Sequence, residues 1–330
     1  MKTTIFGAGA VGGHLAARLG AAGAEVTAVA RGAQLAAIQE RGLTLHIKDE
    51  RYHARIRVTD RPETLGPQDL VIVTVKSSVL PELASAIAKL VGSDTSVVFA
   101  MNGIPWWYLY RDGSTAPKPD LSRLDPDGAL AREIGCERVI GCMINSANEV
   151  IEPGVIRNSP MTKNKFTLGE PDGALSQRVR AIAAELEHHG LEAPVTEAIR
   201  VEIWDKLLRN LSTSPICALT GEPIAVVGRH PELYETSRNL MREGLAVCAA
   251  HGIDVADNFE SSYGTRPNSP HKSSMLQDFE HTRPPEIDGI LTAVQAFARA
   301  ANVPTPTIDA VTALVVEKAR RMGLYPAAVW

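Results

Sequence analysis

Three stretches of this 330-residue sequence combine residue types and spacings that could do chemistry. The first is Gly7-Ala8-Gly9-Ala10-Val11-Gly12, which follows the β-prone run Thr3 to Phe6 and leads into His14-Leu15-Ala16-Ala17-Arg18-Leu19, a segment of helical composition. Strand, glycine turn and helix in that order fit the pattern G-x-G-x-x-G. The first glycine permits a tight turn, the second lets a pyrophosphate approach the backbone, and the third allows helix and strand to pack closely. The helix N-terminus then faces the phosphates, where its N–H groups and dipole favour negative charge. A dinucleotide is the expected ligand.

An NAD site usually places Asp or Glu about 20 residues further on, at the end of the second strand, to hydrogen-bond the ribose 2′-hydroxyl. Here Ala30-Arg31 occupies that place. A guanidinium suits a 2′-phosphate, because its planar fork makes paired charge-assisted hydrogen bonds, so NADPH is expected in preference to NADH. Lys76, at the end of the third strand, could add a second positive charge. By spacing alone it reads equally well as a surface lysine in a βα turn.

The second stretch is the helical segment Val201 to Leu211, where Lys206 and Asn210 are four apart and share a face while Trp204 and Leu207 supply apolar contacts. A lysine beside an amide could bind an anionic or carbonyl substrate. By spacing alone the pair reads first as an exposed lysine and a helix-surface asparagine. The third stretch is Ser273-Ser274-Met275-Leu276-Gln277-Asp278 followed by Glu286-Ile287-Asp288, which taken alone is a capped helix start and a solvated acidic turn.

The elements that must position these residues alternate in the first half of the chain. A second apolar strand, Glu25 to Ala30, follows Gly20 and Gly23; a third, Leu70 to Val75, comes after a charged, less regular stretch. Ser96 to Ala100 reads as a further buried strand ending at Met101-Asn102-Gly103. This alternation predicts a parallel α/β sheet. Tyr110 to Asp127, with its prolines, glycines and alternating charge, reads as a surface insertion. Val139 to Asn145 and Gly154 to Arg157 look like short strands, and Ala174 to His189 like an amphipathic helix. The first domain is expected to end about Thr196; from Arg200 onward strand signals almost vanish, and helices are expected over Arg200 to Leu211, Pro231 to His251, Pro285 to Ala301 and Thr307 to Met322. The predicted organisation is a Rossmann-type parallel-sheet domain over 1-196 and an all-α domain over 197-330.

Composition narrows the function classes. With 34 Lys+Arg against 38 Asp+Glu the formal charge is −4, which implies no general nucleic-acid surface. The longest apolar runs fall far short of the ~18 residues needed to cross a bilayer, and no secretory leader is evident. Cys136, Cys142, Cys217 and Cys248 form no C-x-x-C pair and lack the density of a secreted disulfide framework; they read as reduced thiols, and a cytoplasmic location is expected. His14, His188 and His189 have no partners at metal-ligand spacing, so no metal is expected.

Taken together, Gly7 to Gly12, Met101-Asn102-Gly103-Ile104, Trp204-Asp205-Lys206-Leu207 with Asn210, and Ser273 to Asp278 with Glu286-Ile287-Asp288 resemble the ketopantoate reductase (2-dehydropantoate 2-reductase) family over nearly the whole chain, in order. The last two motifs are far more specific than the glycine loop. The resemblance implies NADPH-dependent reduction of the ketone of 2-dehydropantoate to the alcohol of (R)-pantoate, on the way to pantothenate and coenzyme A. It implies an NADP-binding first domain, a helical substrate and catalytic second domain like the C-terminal domain of 6-phosphogluconate dehydrogenase, and an active site in the cleft between them. It makes Lys206 the general acid and Glu286 a residue that holds substrate, with Asn210 and Ser274 contacting substrate, Asn102 near the nicotinamide, and Arg31 and Lys76 on the 2′-phosphate. A homodimer is compatible with it, although no interface can be picked out from the residues.

Two departures leave the substrate open. The family usually has a second asparagine beyond Asn210, where this chain has Ser214, a shorter side chain at a substrate-binding position. Trp106-Trp107-Tyr108 and the insertion after it either line the cleft or simply pack the insertion. Reduction of another small 2-oxo acid on the same scaffold is therefore the close alternative. A non-catalytic NADPH-binding sensor is the alternative of a different class; the joint presence of Lys206, Asn210, Ser274 and Glu286 argues against it, since nucleotide binding requires none of them.

Overall fold

Short aliphatic and β-branched runs form the strands of the first half of the chain, described here in a computed structural model that covers residues 1–159, 163–260 and 271–326. They are β1 (Thr3–Phe6), β2 (Val26–Val29), β3 (Leu43–Ile47), β4 (Glu50–Ala54), β5 (Arg57–Thr59), β6 (Leu70–Val73), β7 (Ser96–Ala100), β8 (Val139–Asn145), β9 (Asn148–Glu152), β10 (Val155–Asn158) and β11 (Lys165–Gly169). The chain divides into two units. The first is Met1–Met101, Tyr110–Asp112 and Asp125–Ile199; the second is Asn102–Leu109, Gly113–Leu124 and the chain from Arg200 on.

In the first unit, seven strands form one sheet in the order β11-β8-β7-β6-β1-β2-β5. All neighbours are parallel except β11, which runs antiparallel to β8. Strands β1, β6 and β7 are buried along their whole length, as continuous apolar runs in a sheet covered on both faces require. The strand order reverses between β1 and β6, the switch point outside which ligands bind in such sheets. Because the strands are parallel and in register (Phe6 beside Val29 and Val73, Val73 beside Phe99), the residues following Phe6, Val29, Val73 and Ala100 leave the sheet at one edge. This is the expected Rossmann-type arrangement.

The stretch between β2 and β6, expected to be irregular, instead holds a helix, Gly32–Arg41, and three strands. Two of them, β3 and β4, join β10 and β9 in a second sheet of order β4-β3-β10-β9. Its strands are short and bury one face only, with Leu43, Leu45, Ala54 and Ile156 inside, while β4 carries Glu50, Arg51 and His53 outward, so no apolar run announced it. The helix Ala10–Ala21 packs against both sheets. Glycines allow that approach: a Cβ on Gly13 would lie 2.7 Å from Ile156, and one on Gly20 2.5 Å from Ile56.

The second unit is helical: Ile199–Thr220, Ile224–Val227, Pro231–Ala250, Ser274–Glu280, Ala293–Ala300 and Pro306–Arg321. The first of these was expected to stop at Leu211 but continues through Pro215. Proline removes a ladder donor, yet residues 211 to 218 are all buried, and the Ser212 and Thr213 hydroxyls donate to the Arg209 carbonyl at 3.1 and 2.8 Å. Packing of that turn outweighs the break. Phe297 centres this unit's core, meeting the rings of Trp204, Tyr108 and His251 edge-on at 5.1, 5.3 and 4.9 Å. Trp107 and Tyr108 are packing residues here, with Trp204 Nε1 donating to the Tyr108 hydroxyl at 2.8 Å and Arg200 Nη2 to the Tyr108 carbonyl at 2.7 Å. No helix among the described residues is long and apolar enough to cross a membrane.

One buried group ties the first unit's stability to pH. His14 is 1% exposed, with Nδ1 2.9 Å from Asn148 Oδ1 on β9 and its ring against Phe166 on β11. Burial holds its pKa down at about 4, against 6.5 for a free imidazole. Below pH 6.5 the unfolded chain takes up a proton that the folded chain refuses until about pH 4, so stability falls as pH drops through that window at about 1.4 kcal/mol per unit. In urea unfolding at pH 7 and pH 4.5, His14→Asn is expected to lose about 2–3 kcal/mol less than the wild type over this interval; equal losses in both proteins would contradict it.

Candidate active site

The glycine loop shows three separate steric demands. Gly7 has φ +107°, and a Cβ there would lie 2.7 Å from Val75 Cγ1. Gly12 has no room at all: its Cβ would sit 1.9 Å from the Gly7 carbonyl oxygen and 2.4 Å from Thr74 Oγ1. Gly9, by contrast, would project a Cβ into open space with no protein atom within 4 Å, so the bare backbone there leaves room for something other than the protein. Gly9 also caps the helix Ala10–Ala21 without a side-chain partner, leaving first-turn N–H groups available to an anion. The loop is held by two residues that sequence reasoning missed. Thr74 Oγ1 donates to the Gly7 carbonyl at 2.6 Å, and Gln34 Nε2 to the Ala8 carbonyl at 2.7 Å while its Oε1 accepts from Gly154 N. Thr74 was findable as the first residue past β6; Gln34 carries no local signal.

At the same sheet edge Arg31 caps the helix Gly32–Arg41 and is exposed, with no carboxylate residue at the end of β2. Lys76, half-buried, follows β6 by three residues. An open backbone at Gly9 and a helix start without a side-chain cap fit the phosphates of a dinucleotide.

The second unit gathers three of the other sequence-identified residues. Lys206 Nζ donates to Asn102 Oδ1 at 2.7 Å, and Asn102 Nδ2 donates to Glu286 Oε2 at 2.9 Å. Lys206 is set by the buried face of its helix, Trp204, Leu207, Leu208 and Leu211, which lets Gly244 approach so closely that a Cβ would lie 2.5 Å from Leu208. Asn102 follows β7 by two residues. Gly103, at φ +76°, turns the chain so that its Cα packs on the backbone of Gly289, and Ile104 N donates to the Gly289 carbonyl at 2.8 Å. A Cβ on Gly103 would sit 2.5 Å from Gly289 backbone atoms. Glu286, 7% exposed, immediately precedes the helical run from Ile287. That run was expected to be regular from Pro285, but it opens with a π-turn, Asp288–Thr292. Gly289 escaped the sequence reading because its role is to accept another backbone.

Asn210 and Ser214 lie four and eight residues beyond Lys206 on the same helix and so on one stripe of its surface. Asn210 is half-buried and Ser214 buried. The Ser273 hydroxyl caps the helix Ser274–Glu280 by accepting from Leu276 N at 3.2 Å and reaches the Ser214 carbonyl at 3.5 Å, tying the third motif to this stripe. Ser274 itself is exposed at the first helical position. A cationic amine held beside a neutral amide and a buried carboxylate can stabilise and protonate an oxygen that gains charge.

A dinucleotide-type sheet edge and a lysine–amide–carboxylate chain carried by a helical unit define an oxidoreductase of the nicotinamide-dependent class. Two family descriptions match the chain: ketopantoate reductase PanE/ApbA over residues 3–106, and its C-terminal part over residues 198–319. A 2-dehydropantoate 2-reductase of Mesorhizobium japonicum is 44% identical over 327 residues, 98% of this chain and 100% of that one. A crystal structure from Ralstonia solanacearum MolK2, assigned as a ketopantoate reductase, has a TM-score of 0.90 at 37% identity and covers 98% of this chain and 99% of its own. A D-mandelate dehydrogenase solved with NADH and anilino(oxo)acetate shares the fold, with a TM-score of 0.83 at 22% identity over 98% of this chain and all of its own. The chain belongs to the ketopantoate reductase family, whose members are NAD(P)-dependent oxidoreductases.

The three glycines predict separable variants. Gly12→Ala is expected to lower stability by about 1–3 kcal/mol or more, because backbone and Thr74 must both move, and to show it as a lower Tm. Gly9→Ala is expected to melt with the wild type but to bind NADPH at least about tenfold more weakly in a fluorescence titration, a loss of about 1.4 kcal/mol. Undiminished binding by Gly9→Ala would remove the phosphate-approach role.

Proposed function

We propose that this protein reduces 2-dehydropantoate to (R)-pantoate with NADPH. The observation that carries the proposal is the chain of hydrogen bonds from Lys206 through Asn102 to Glu286, in a chain 44% identical to a relative named for that reaction. The bound reduced cofactor supplies a hydride to the ketone carbon. Lys206 stabilises the charge that develops on the carbonyl oxygen and gives it a proton, so that the ketone becomes an alcohol. Asn102 accepts from the ammonium and donates to the Glu286 carboxylate, holding both in place, and would lie near the nicotinamide of the bound cofactor. Glu286 accepts a hydrogen bond from the substrate hydroxyl, and Asn210, Ser214 and Ser274 complete the substrate contacts. Gly7, Ala8, Gly9, Ala10, Val11 and Gly12 hold the pyrophosphate, and Arg31 and Lys76 the 2′-phosphate. The work is thus divided between a cofactor-binding domain over 1-196 and a substrate domain over 197-330. A cytoplasmic homodimer is part of the proposal.

A second reading is favoured by one position. Ser214 is buried on the Lys206 stripe where the family usually places asparagine, and a related fold serves a D-mandelate dehydrogenase; a different 2-oxo acid would fit a site so altered. Initial rates over a panel of 2-oxo acids decide between the two, and no turnover of any would remove both.

Lys206→Ala is expected to lose about 10²–10⁴-fold in kcat with NADPH affinity kept. Wild-type kcat/KM should fall at alkaline pH as the amine loses its proton, and that limb should vanish in the variant. Near-normal turnover with an unchanged pH profile would assign the acid to another group. Separately, Arg31→Ala should weaken NADPH binding about ten- to a hundredfold while leaving NADH binding nearly unchanged, as expected for loss of a charge-assisted contact. Equal wild-type dissociation constants for the two cofactors would remove the basis for an NADPH preference.

A further inference from the structure

The helical run that follows Glu286 departs from α-geometry where it meets the Asn102 loop. Asp288–Thr292 is a π-turn, a widened turn that proteins use sparingly and often beside functional groups. Its second residue, Gly289, receives the Ile104 N–H at 2.8 Å. The same five residues therefore fix the end of the chain that carries Glu286 and the loop that carries Asn102.

What holds this turn is a set of polar contacts centred on Asp288. Its Oδ1 accepts from the Thr292 hydroxyl at 2.8 Å and from the Tyr325 hydroxyl at 2.6 Å. The Thr292 hydroxyl also lies 3.3 Å from the Asp288 carbonyl. Arg123, on the short 3₁₀ turn Ser122–Leu124, donates to the Tyr325 oxygen at 3.2 Å and stands 3.9 Å from Asp288 Oδ1. Tyr325 follows the helix Pro306–Arg321 by four residues, so guanidinium, phenol and carboxylate come from three separate segments of the second unit. Burial first, and the Asp288 carboxylate next, push the Tyr325 phenol well above the ordinary tyrosine range. It stays a donor at every pH the protein meets. Arg123 is largely exposed and adds little by itself; the phenol-to-carboxylate bond is the stronger tie, because hydrogen bonds to a charged partner exceed neutral ones.

We propose that Tyr325 and Asp288 are positioning residues for the site: their hydrogen bond sets the π-turn, and the turn sets Glu286 and the Asn102 loop. The proposal rests on the reductase reading, in which Glu286 holds the substrate, and neither Tyr325 nor Asp288 touches substrate or cofactor in it. Loss of the bond therefore appears in the KM of the 2-oxo acid rather than in the proton-transfer step.

Tyr325→Phe removes one oxygen and keeps the ring. KM for the 2-oxo acid is expected to rise about tenfold, with kcat within about twofold and NADPH affinity unchanged. Asp288→Ala should behave likewise, and the double variant should be no worse than Asp288→Ala alone, because both act through one bond. An unchanged KM in Tyr325→Phe overturns the proposal, as does strict additivity in the double variant. Amide hydrogen exchange at Ile104 reads the clamp without any substrate. It should be about tenfold faster in Tyr325→Phe, while amides of the helix Pro231–Ala250 exchange as in the wild type. Unchanged exchange at Ile104, or equal acceleration in both places, overturns the proposal. Faster exchange at Ile104 alone, in an enzyme that turns over no 2-oxo acid, sustains the positioning role and removes the reductase reading instead.

Discussion

The second unit's site depends on one carboxamide. Asn102 has its oxygen against the Lys206 ammonium and its nitrogen against the Glu286 carboxylate, and only that orientation satisfies both, since an ammonium can only donate and a carboxylate can only accept. An amide does not titrate, so Asn102 offers the same donor and the same acceptor whatever the pH. Replacing it with a carboxylate would pair the lysine directly and set a like charge beside Glu286; replacing it with an aliphatic residue would leave both charges without their bridge. Few side chains could stand between these two groups, and asparagine reaches both from a single Cα.

Placing that amide is a backbone problem before it is a side-chain problem. The chain must leave a fully buried strand, turn at once and lie against a helix. Gly103 makes the turn with a positive φ, and two glycines in contact let backbone meet backbone where a methyl group would collide at 2.5 Å. Gly12 shows the same economy in the first unit, where the Gly7 carbonyl oxygen lies 1.9 Å from its would-be Cβ, whereas a Cβ on Gly7 would meet the Val75 side chain at 2.7 Å. Gly103 and Gly12 thus serve packing of main chain against main chain. Gly9 differs, since no protein atom claims its space, and that contrast within one six-residue loop separates glycines that the scaffold requires from one that it does not.

Much of this was legible in the sequence. The glycine loop, the buried strands β1, β6 and β7, Arg31 in place of an acidic residue, and the shared face of Lys206 and Asn210 follow from spacing and residue type, while Ser214 was seen only as a departure from the family pattern. The meeting of Asn102, Lys206 and Glu286 does not: they are more than a hundred and about eighty positions apart, and only the family resemblance put them in one site. The second sheet was missed because half-exposed strands such as Glu50–Ala54 carry charged residues through their middle and lack an apolar run. Pro215 misled in the opposite direction, since a local rule about helix ends gave way to burial of the whole turn around it.

Among the described residues, two places where the helical unit breaks local rules lie beside Ser214 and Glu286. The proline sits one position after Ser214, and the π-turn begins two positions after Glu286. Each irregularity costs helix hydrogen bonding, and each is offset by contacts from outside its own helix: the buried turn around residues 211 to 218 in one case, Asp288 with Thr292 and Tyr325 in the other. A regular α-helix presents side chains at fixed angular steps of about 100°. The π-turn breaks those steps two residues after Glu286, and of the residues whose polar contacts meet there Asp288 belongs to the motif Glu286-Ile287-Asp288, whereas Thr292 and Tyr325 lie outside it.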